Sequence, residues 1–240
     1  MLLRKWDDLP SNMKNASVKE YYDILCKKRF SLLLKRIFDI IFAILIFIVL
    51  SPIFIVLSII IKIDSKGPIM FRQVRITQYG KPFRIYKFRT MVVNAEKLGS
   101  QVTTKNDVRV TRVGKFLRKY RLDEFPQLFN IITGDMSFVG TRPEVSKYVE
   151  RYTEKMIATL LLPAGVTSEA SIQYKDEELV LTLAEAANET YVKKVLPEKM
   201  KYNLRSIEAF SFLGDIRTMI RTVVVVVKKH DIKLNVDING

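Results

Sequence analysis

Hydrophobic and polar positions divide this chain into stretches of different period. The first 39 residues are polar and basic, with "CKKRF" and "LLKRIFD" patterned as a helical lead-in. From Ile40 to Ile61, "IIFAILIFIVLSPIFIVLSIII" runs 22 residues without a charge, long enough for a helix to cross the hydrocarbon core of a bilayer. It starts too late and is too long for a cleaved signal peptide. Two β-prone stretches, Ile69 to Thr77 and Phe83 to Phe88, flank "QYGKP" and predict a β-hairpin. Residues 106–142 predict helix, an interruption at Pro126, a second helix and the turn-rich loop "GDMSFVGTRPE". "PEVSKYVERYTEKMIATLLL" has helical spacing, with Val145, Tyr148, Val149, Tyr152 and Met156 on roughly one face. Another amphipathic helix is expected from Asp215, a cap region after Gly214, through "IRTMIRTVVVVVKK".

Ser51-Pro52 falls near the middle of the apolar run, where a helical proline removes a hydrogen bond and costs about 3 kcal/mol. The proline alone fits a kinked spanning helix. Flanking charge points the other way. Lys27, Lys28, Arg29, Lys35 and Arg36 precede the run, and Lys62, Lys66, Arg72 and Arg75 follow it. Cations favour the cytoplasmic side, and one crossing cannot keep both flanks there, whereas a helix-break-helix hairpin can.

Charge then widens the question. Forty Lys+Arg against 25 Asp+Glu leave a net +15, which predicts an anionic partner: nucleic acid, phospholipid headgroups or a phosphorylated substrate. Along the hairpin, Arg72, Arg75, Arg84, Lys87 and Arg89 are expected to line a polar face, with a merely solvated edge as the alternative. Cys26 is the only cysteine and His230 the only histidine. An internal disulfide, a cysteine-rich zinc site, a Ser-His-Asp triad and a multi-histidine metal site are therefore excluded or hard to build. Chemistry must rest on carboxylates.

"YRLDEFPQLFN" supplies two, Asp123 and Glu124, among Arg118, Lys119 and Arg121. Nearby cations are expected to hold an aspartate there ionised, ready as a nucleophile or a hard-metal ligand. Pro126 is expected to keep Phe125 out of helical geometry. Taken alone, such a string is more often a surface ion pair.

Its surroundings are more specific. "GPIMFRQVR", "KFRTM", "LRKYRLDEFPQLFN" and "GDMSFVGTRPE" occur in this order behind the Ser-Pro-interrupted apolar run. Together they resemble the bacterial sugar transferases called monotopic phosphoglycosyl transferases, densely over 35–144 and more loosely through "LPAGVTS" and "GDIRTMIRT". The resemblance implies transfer of a sugar-1-phosphate from a UDP-sugar to polyprenyl (undecaprenyl) phosphate, releasing UMP. Asp123 would be the nucleophile, forming a phosphosugar-aspartyl intermediate, and Glu124 would share Mg²⁺ with it. Arg118 and Arg142 match arginines at a phosphate site, where a planar guanidinium suits phosphate. Gln73, Arg75, Lys87 and Arg89 match further motif positions. Ser51 and Pro52 match the break of a re-entrant membrane helix.

The fold expected is therefore α+β and mainly helical: a re-entrant membrane helix, a small hairpin, and amphipathic helices along the membrane surface. It divides into a lead-in over 1–34, the membrane helix over 35–62 and a catalytic domain over 63–240. The implied location is the bacterial inner membrane, monotopic, with the catalytic domain on the cytoplasmic face and phospholipids as neighbours. Only about 34 residues precede the membrane helix, which resembles the minimal form of the family. The valine run 223–227 leaves a second copy of the chain, the membrane and the protein's own core all open as its packing partner.

Two departures stand out. Where many members read like "KPGITGLWQVSGR", this chain reads "LPAGVTSEASIQYKDE", with Lys175 at the position aligned to an arginine, so charge survives without the bidentate fork. "GTRPE" also carries Thr141 where proline is usual. Two rivals remain. A membrane-tethered nucleic-acid or acidic-lipid binding module explains the charge but gives Asp123 and Glu124 no role; the transferase expectation includes no nucleic acid. A silent scaffold would not need the pair at all.

Overall fold

The computed structural model describes residues 3–95, 107–174 and 187–228. Two short 3₁₀ turns lead into α1 (Ala16–Cys26), started by Asn15, whose side chain accepts the Val18 N–H at 2.8 Å. This segment, polar and basic in composition, also carries Leu3, Leu9, Met13, Val18, Tyr21, Tyr22 and Leu25. All are buried against Ala158, Leu160, Leu161, Leu204, Ile207 and Phe210. The lead-in is thus packed into the body of the protein.

Next, α2 (Arg29–Asp64) contains the whole apolar run with Pro52 inside it. Helical bonding continues through the proline, and the reason lies next door. Pro52 lacks the N–H that would reach the Ile48 carbonyl, and the Ser51 hydroxyl donates to that carbonyl at 2.8 Å instead. Arg36 and Ile61 are separated by up to about 38 Å along such a helix, yet both ends are tied to the same body. At one end Lys35 donates to the Val139 carbonyl (2.8 Å) and pairs with Asp215 (2.5 Å), while Arg36 donates to the Ile131 and Ile132 carbonyls. At the other, Asp64 accepts the Val113 N–H.

The middle of α2 packs too. The Phe47 ring lies 4.9 Å from Phe129, and Phe54 lies 5.1 Å from Phe88. Its opposite face exposes Ile41, Leu45, Ile48, Val49, Ile53 and Val56. Each such side chain forfeits about 1.5–3 kcal/mol of burial in water, so this face calls for an apolar surrounding. By length and composition the helix can cross a membrane.

The predicted hairpin forms from β1 (Met70–Ile76) and β2 (Pro82–Phe88), antiparallel from Met70↔Phe88 to Ile76↔Pro82. The expected single cationic face does not form. Residues paired across the ladder share a face, so Arg75 and Lys87 lie on the side of buried Phe83 and Ile85, and Arg72 and Arg84 lie on the other.

After α3 (Arg112–Lys119) and α4 (Gln127–Thr133), the stretch read as a turn-rich loop supplies β3 (Met136–Val139). It pairs in parallel with β4 (Ala164–Thr167) from "LPAGVTS". Gly140 and Gly165 make the approach possible: a Cβ on Gly165 would lie 2.1 Å from the Gly140 nitrogen.

Between these strands, the amphipathic helix expected over 143–162 is divided. α5 (Ser146–Val149) and α6 (Glu154–Ile157) are separated at Thr153, which caps α6. The division lets Val145, Tyr148, Tyr152 and Met156 pack on Tyr191, Val195, Leu196 and Met200. That face is core.

The chain continues with α7 (Glu169–Gln173), α8 (Ala187–Thr190), a π-helical turn (Tyr191–Val195), α9 (Leu196–Glu208) and α10 (Phe212–Lys228). The start of α10 is marked by Ser211, whose hydroxyl oxygen accepts the Gly214 N–H; Asp215 serves Lys35 instead of capping. Leu213, Ile220, Val223 and Val224 of α10 are exposed. The architecture is α+β and mainly helical.

Candidate active site

The acidic pair sits on a 3₁₀ turn, Leu122–Glu124, between α3 and α4. Arg121 enters it in the left-handed region (φ 57°, ψ 20°). That conformation is uncommon for a residue with a long side chain, and it turns the chain back so that both carboxylates are nearly buried. The expected effect of Pro126 on Phe125 is absent: Phe125 is right-handed helical (φ −53°, ψ −39°), and Pro126 serves as the N-cap of α4. A proline at a helix start removes an N–H that would have no partner there.

The two carboxylates differ. Arg142 donates to Glu124 Oε1 at 2.6 Å, Lys87 Nζ lies 3.3 Å from the same oxygen, and Arg121 lies 3.9 Å from it. Burial alone would raise the Glu124 carboxyl, but Arg142, Lys87 and Arg121 hold it well below the ordinary carboxylate range. Among the described residues, Asp123 makes no side-chain hydrogen bond and no ion pair. Burial pushes its carboxyl up and the Glu124 charge adds to this, with only partial relief from Lys87, Arg118 and Arg121. Of the cations expected to keep Asp123 ionised, Arg121 lies 3.9 Å from Glu124 and Arg118 donates to Thr90. Burial also pulls the Lys87 ammonium down, against the pull of Glu124.

Arg118 projects from α3 beside the turn, its Nε donating to Thr90 Oγ1 at 2.9 Å. Close packing allows this: a Cβ on Gly114 would fall 2.1 Å from the Thr90 carbonyl oxygen. Arg75 donates from Nε and NH2 to Gln73 Oε1 (3.1 and 2.7 Å) and from NH1 to the Pro143 carbonyl (3.3 Å), so this couple holds the Arg142 loop.

Arg89 departs from its expected role. It is buried, and its NH2 donates to the Ile61 and Ser65 carbonyls and to Ser65 Oγ. It therefore caps the C-terminal end of α2, where carbonyls are unpaired and a cation is favoured. Lys175 and His230 lie outside the described residues.

Three contributors escaped the sequence patterns: Thr90, Asn130 and Glu144. Fully buried Asn130 accepts the Tyr86 N–H through Oδ1 and donates to the Arg84 carbonyl through Nδ2, both at 2.9 Å. It fastens β2, and so Lys87, to the helix that follows the acidic pair. Its place in "YRLDEFPQLFN" was visible, but its partners 44 and 46 residues away were not.

No cluster of three or more His, Cys, Asp or Glu side chains capable of holding a metal occurs among the described residues. Mg²⁺ needs less, since it commonly takes one or two carboxylates together with water and phosphate oxygens. The recorded contacts of Glu124 fall on Oε1. Asp123 and Glu124 Oε2 are therefore the donors that fit it.

Comparison with known proteins places this geometry. A UDP-glucose:undecaprenyl-phosphate glucose-1-phosphate transferase from Klebsiella pneumoniae is 37% identical over 196 residues, 80% of this chain and 40% of the relative. A UDP-N-acetylgalactosamine-undecaprenyl-phosphate N-acetylgalactosaminephosphotransferase from Aeromonas hydrophila is 44% identical over 123 residues, 51% of this chain and 29% of the relative. An undecaprenyl-phosphate galactose phosphotransferase from Salmonella typhimurium is 41% identical over 155 residues, 58% of this chain and 32% of the relative. The chain thus spans less than half the length of each of these three. The family profile described as bacterial sugar transferase matches residues 30–229, nearly the whole chain after α1, and the chain belongs to the bacterial sugar transferase family.

Proposed function

We propose that the protein transfers a sugar-1-phosphate from a UDP-sugar to undecaprenyl phosphate, with Asp123 as the covalent nucleophile. The observation that carries this is the asymmetry of the acidic pair: Glu124 is clamped by Arg142 and Lys87, while its neighbour Asp123 makes no side-chain hydrogen bond or ion pair among the described residues. Ion pairing with Arg142 and Lys87 withdraws charge from the Glu124 carboxylate and fixes its orientation, which makes it the weaker nucleophile of the two.

In the first half-reaction an Asp123 oxygen attacks the phosphorus that carries the sugar. The new bond is Asp–O–P, the bond broken is the P–O link to the other phosphate, and UMP leaves with that electron pair. In the second, a phosphate oxygen of undecaprenyl phosphate attacks the same phosphorus, the Asp–O–P bond breaks, and Asp123 is restored as carboxylate. Each half needs in-line placement and charge neutralisation. Arg118 is placed to hold phosphate oxygens, and Arg142 and Lys87 orient Glu124 while adding positive potential. When bound at Asp123 and Glu124, Mg²⁺ would neutralise phosphate charge.

Desolvation raises the ground-state energy of ionised Asp123, which favours its attack once cations and substrate assemble around it. The exposed apolar face of α2, with both ends tied to one body, fits a re-entrant helix in the inner membrane and a catalytic domain on the cytoplasmic face. The relatives act on different sugars by name, so the donor is proposed as a class.

The test is detergent-solubilised protein with undecaprenyl phosphate, Mg²⁺ and a panel of UDP-sugars, reading UMP release. Mass spectrometry without acceptor should find a phosphosugar adduct on Asp123. No UMP from any donor rejects the reaction, and an adduct on Glu124 rejects the assignment of roles.

A further inference from the structure

The loop that brings Arg142 to the acidic pair is held at its far side by a second charged cluster. Glu144, two residues on, is 7% exposed. Its Oε1 accepts a hydrogen bond from the Tyr191 hydroxyl and lies 3.8 Å from Lys199 Nζ, and its Oε2 lies 3.9 Å from Arg75 NH1. Lys199 Nζ also donates to the Tyr191 oxygen at 3.3 Å. The Glu144 carbonyl accepts the Ile76 N–H at 2.9 Å, which stitches the loop to the end of β1. Tyr191 opens the π-helical turn, and its ring lies 4.8 Å from that of Tyr148. Turns of this kind are rare and commonly mark functional positions.

Arg142 has a buried carboxylate 18 residues behind it, Glu124, and another two residues ahead, Glu144. With only Arg75 left beside it, a buried Glu144 charge would attract the Arg142 guanidinium away from Glu124. Arg75 at Oε2 and Lys199 at Oε1 share the compensation of this charge, and Tyr191 adds the hydrogen bond; Lys199 and Tyr191 come from the C-terminal part of the chain.

We propose that Lys199 and Tyr191 are positioning residues for Arg142: by satisfying Glu144 they leave Arg142 to Glu124 and to the phosphate in transfer. This rests on the transferase reading of the site. Lys199 itself touches neither the acidic pair nor the reacting atoms.

A double-mutant cycle tests it, with UMP release as the readout and melting temperature followed in parallel. Lys199→Met should lower kcat about tenfold in the wild-type background and less than twofold beside Arg142→Gln, because the second change removes the residue being positioned. Lys199→Arg should retain at least half the activity, and Tyr191→Phe should lose about threefold. Equal losses from Lys199→Met in both backgrounds would show a general structural role and overturn the proposal. An experimental structure of Lys199→Met gives an answer independent of turnover, including where Arg142→Gln reaches the background of the assay. Arg142 turned onto Glu144 supports the proposal, and Arg142 still on Glu124 rejects it. Wild-type protein silent on every UDP-sugar would reject the transferase reading alone, and that structure would still decide the placement of Arg142.

Discussion

Two carboxylate clusters lie on either side of the 140–144 loop, built from similar parts and finished differently. Around Glu144, the Tyr191 hydroxyl, Lys199 and Arg75 all converge on one acid. Around the 122–124 turn, three cations converge on Glu124 and leave Asp123 buried beside it with no protein partner among the described residues. A stability-optimised fold would pair or remove Asp123, since a buried carboxylate without a partner is costly. The second cluster shows that this fold can satisfy a buried acid. Asp123 departs from the pattern of Glu124 and Glu144, and departures of this kind are where a fold keeps its chemistry.

The sharpest way to break the comparison is Asp123→Asn. UMP release should fall at least about 10³-fold, as expected for loss of a nucleophile. The melting temperature should rise at pH 7, because burial penalises the charged aspartate. Its raised folded-state pKa means the penalty is present at neutral pH and is lost only as pH falls below the unfolded-state value of about 3.9, so it is absent near pH 3, where the acid is protonated in both states. Circular dichroism melts at the two pH values check the sign.

Glu124→Gln should lose about 100-fold in kcat and also destabilise by about 2 kcal/mol, since Arg142 and Lys87 lose their common partner. Here the folded pKa is depressed. The stability Glu124 contributes is complete above about pH 4.5 and is lost as pH falls through its folded value. The wild-type advantage in melting temperature over Glu124→Gln should therefore shrink below pH 4. A gain in stability from Glu124→Gln at pH 7 would remove the contrast between the two acids.

Arg142→Lys should cost about tenfold in kcat, since the charge persists without the planar fork. Asn130→Ala should destabilise by about 2 kcal/mol through the two backbone groups of β2 left unpaired, with chemical denaturation as the check. Thr90→Val is the mildest change: it removes the support of Arg118 and should reduce kcat about threefold with little effect on melting.

Much of this was legible along the chain. The apolar run, the hairpin and the acidic pair each depend on local pattern or composition, and each forms where the pattern put it. The expectations that changed did so through distant contacts. Arg89 is expected from the sequence on the polar face of the hairpin, yet it closes the end of α2 through Ile61 and Ser65, 28 and 24 residues away. The 143–162 segment kept its apolar face but divided at Thr153 to pack on residues 191–200. β3 and β4 are four residues each and pair across an intervening segment, too short for periodicity to single out.

By itself the sequence determined which residue types were available for chemistry: one histidine, one cysteine and an adjacent acid pair among arginines. It also determined that the apolar run carries a proline with a serine directly before it. Those are properties of composition and near neighbours. Only the tertiary structure decided which acid receives the cations, because charge distribution depends on distance through space, and Lys87, Arg121 and Arg142 come from three separate elements. Their convergence on Glu124 turned two chemically similar neighbours into a clamped carboxylate and one without an ion pair among the described residues.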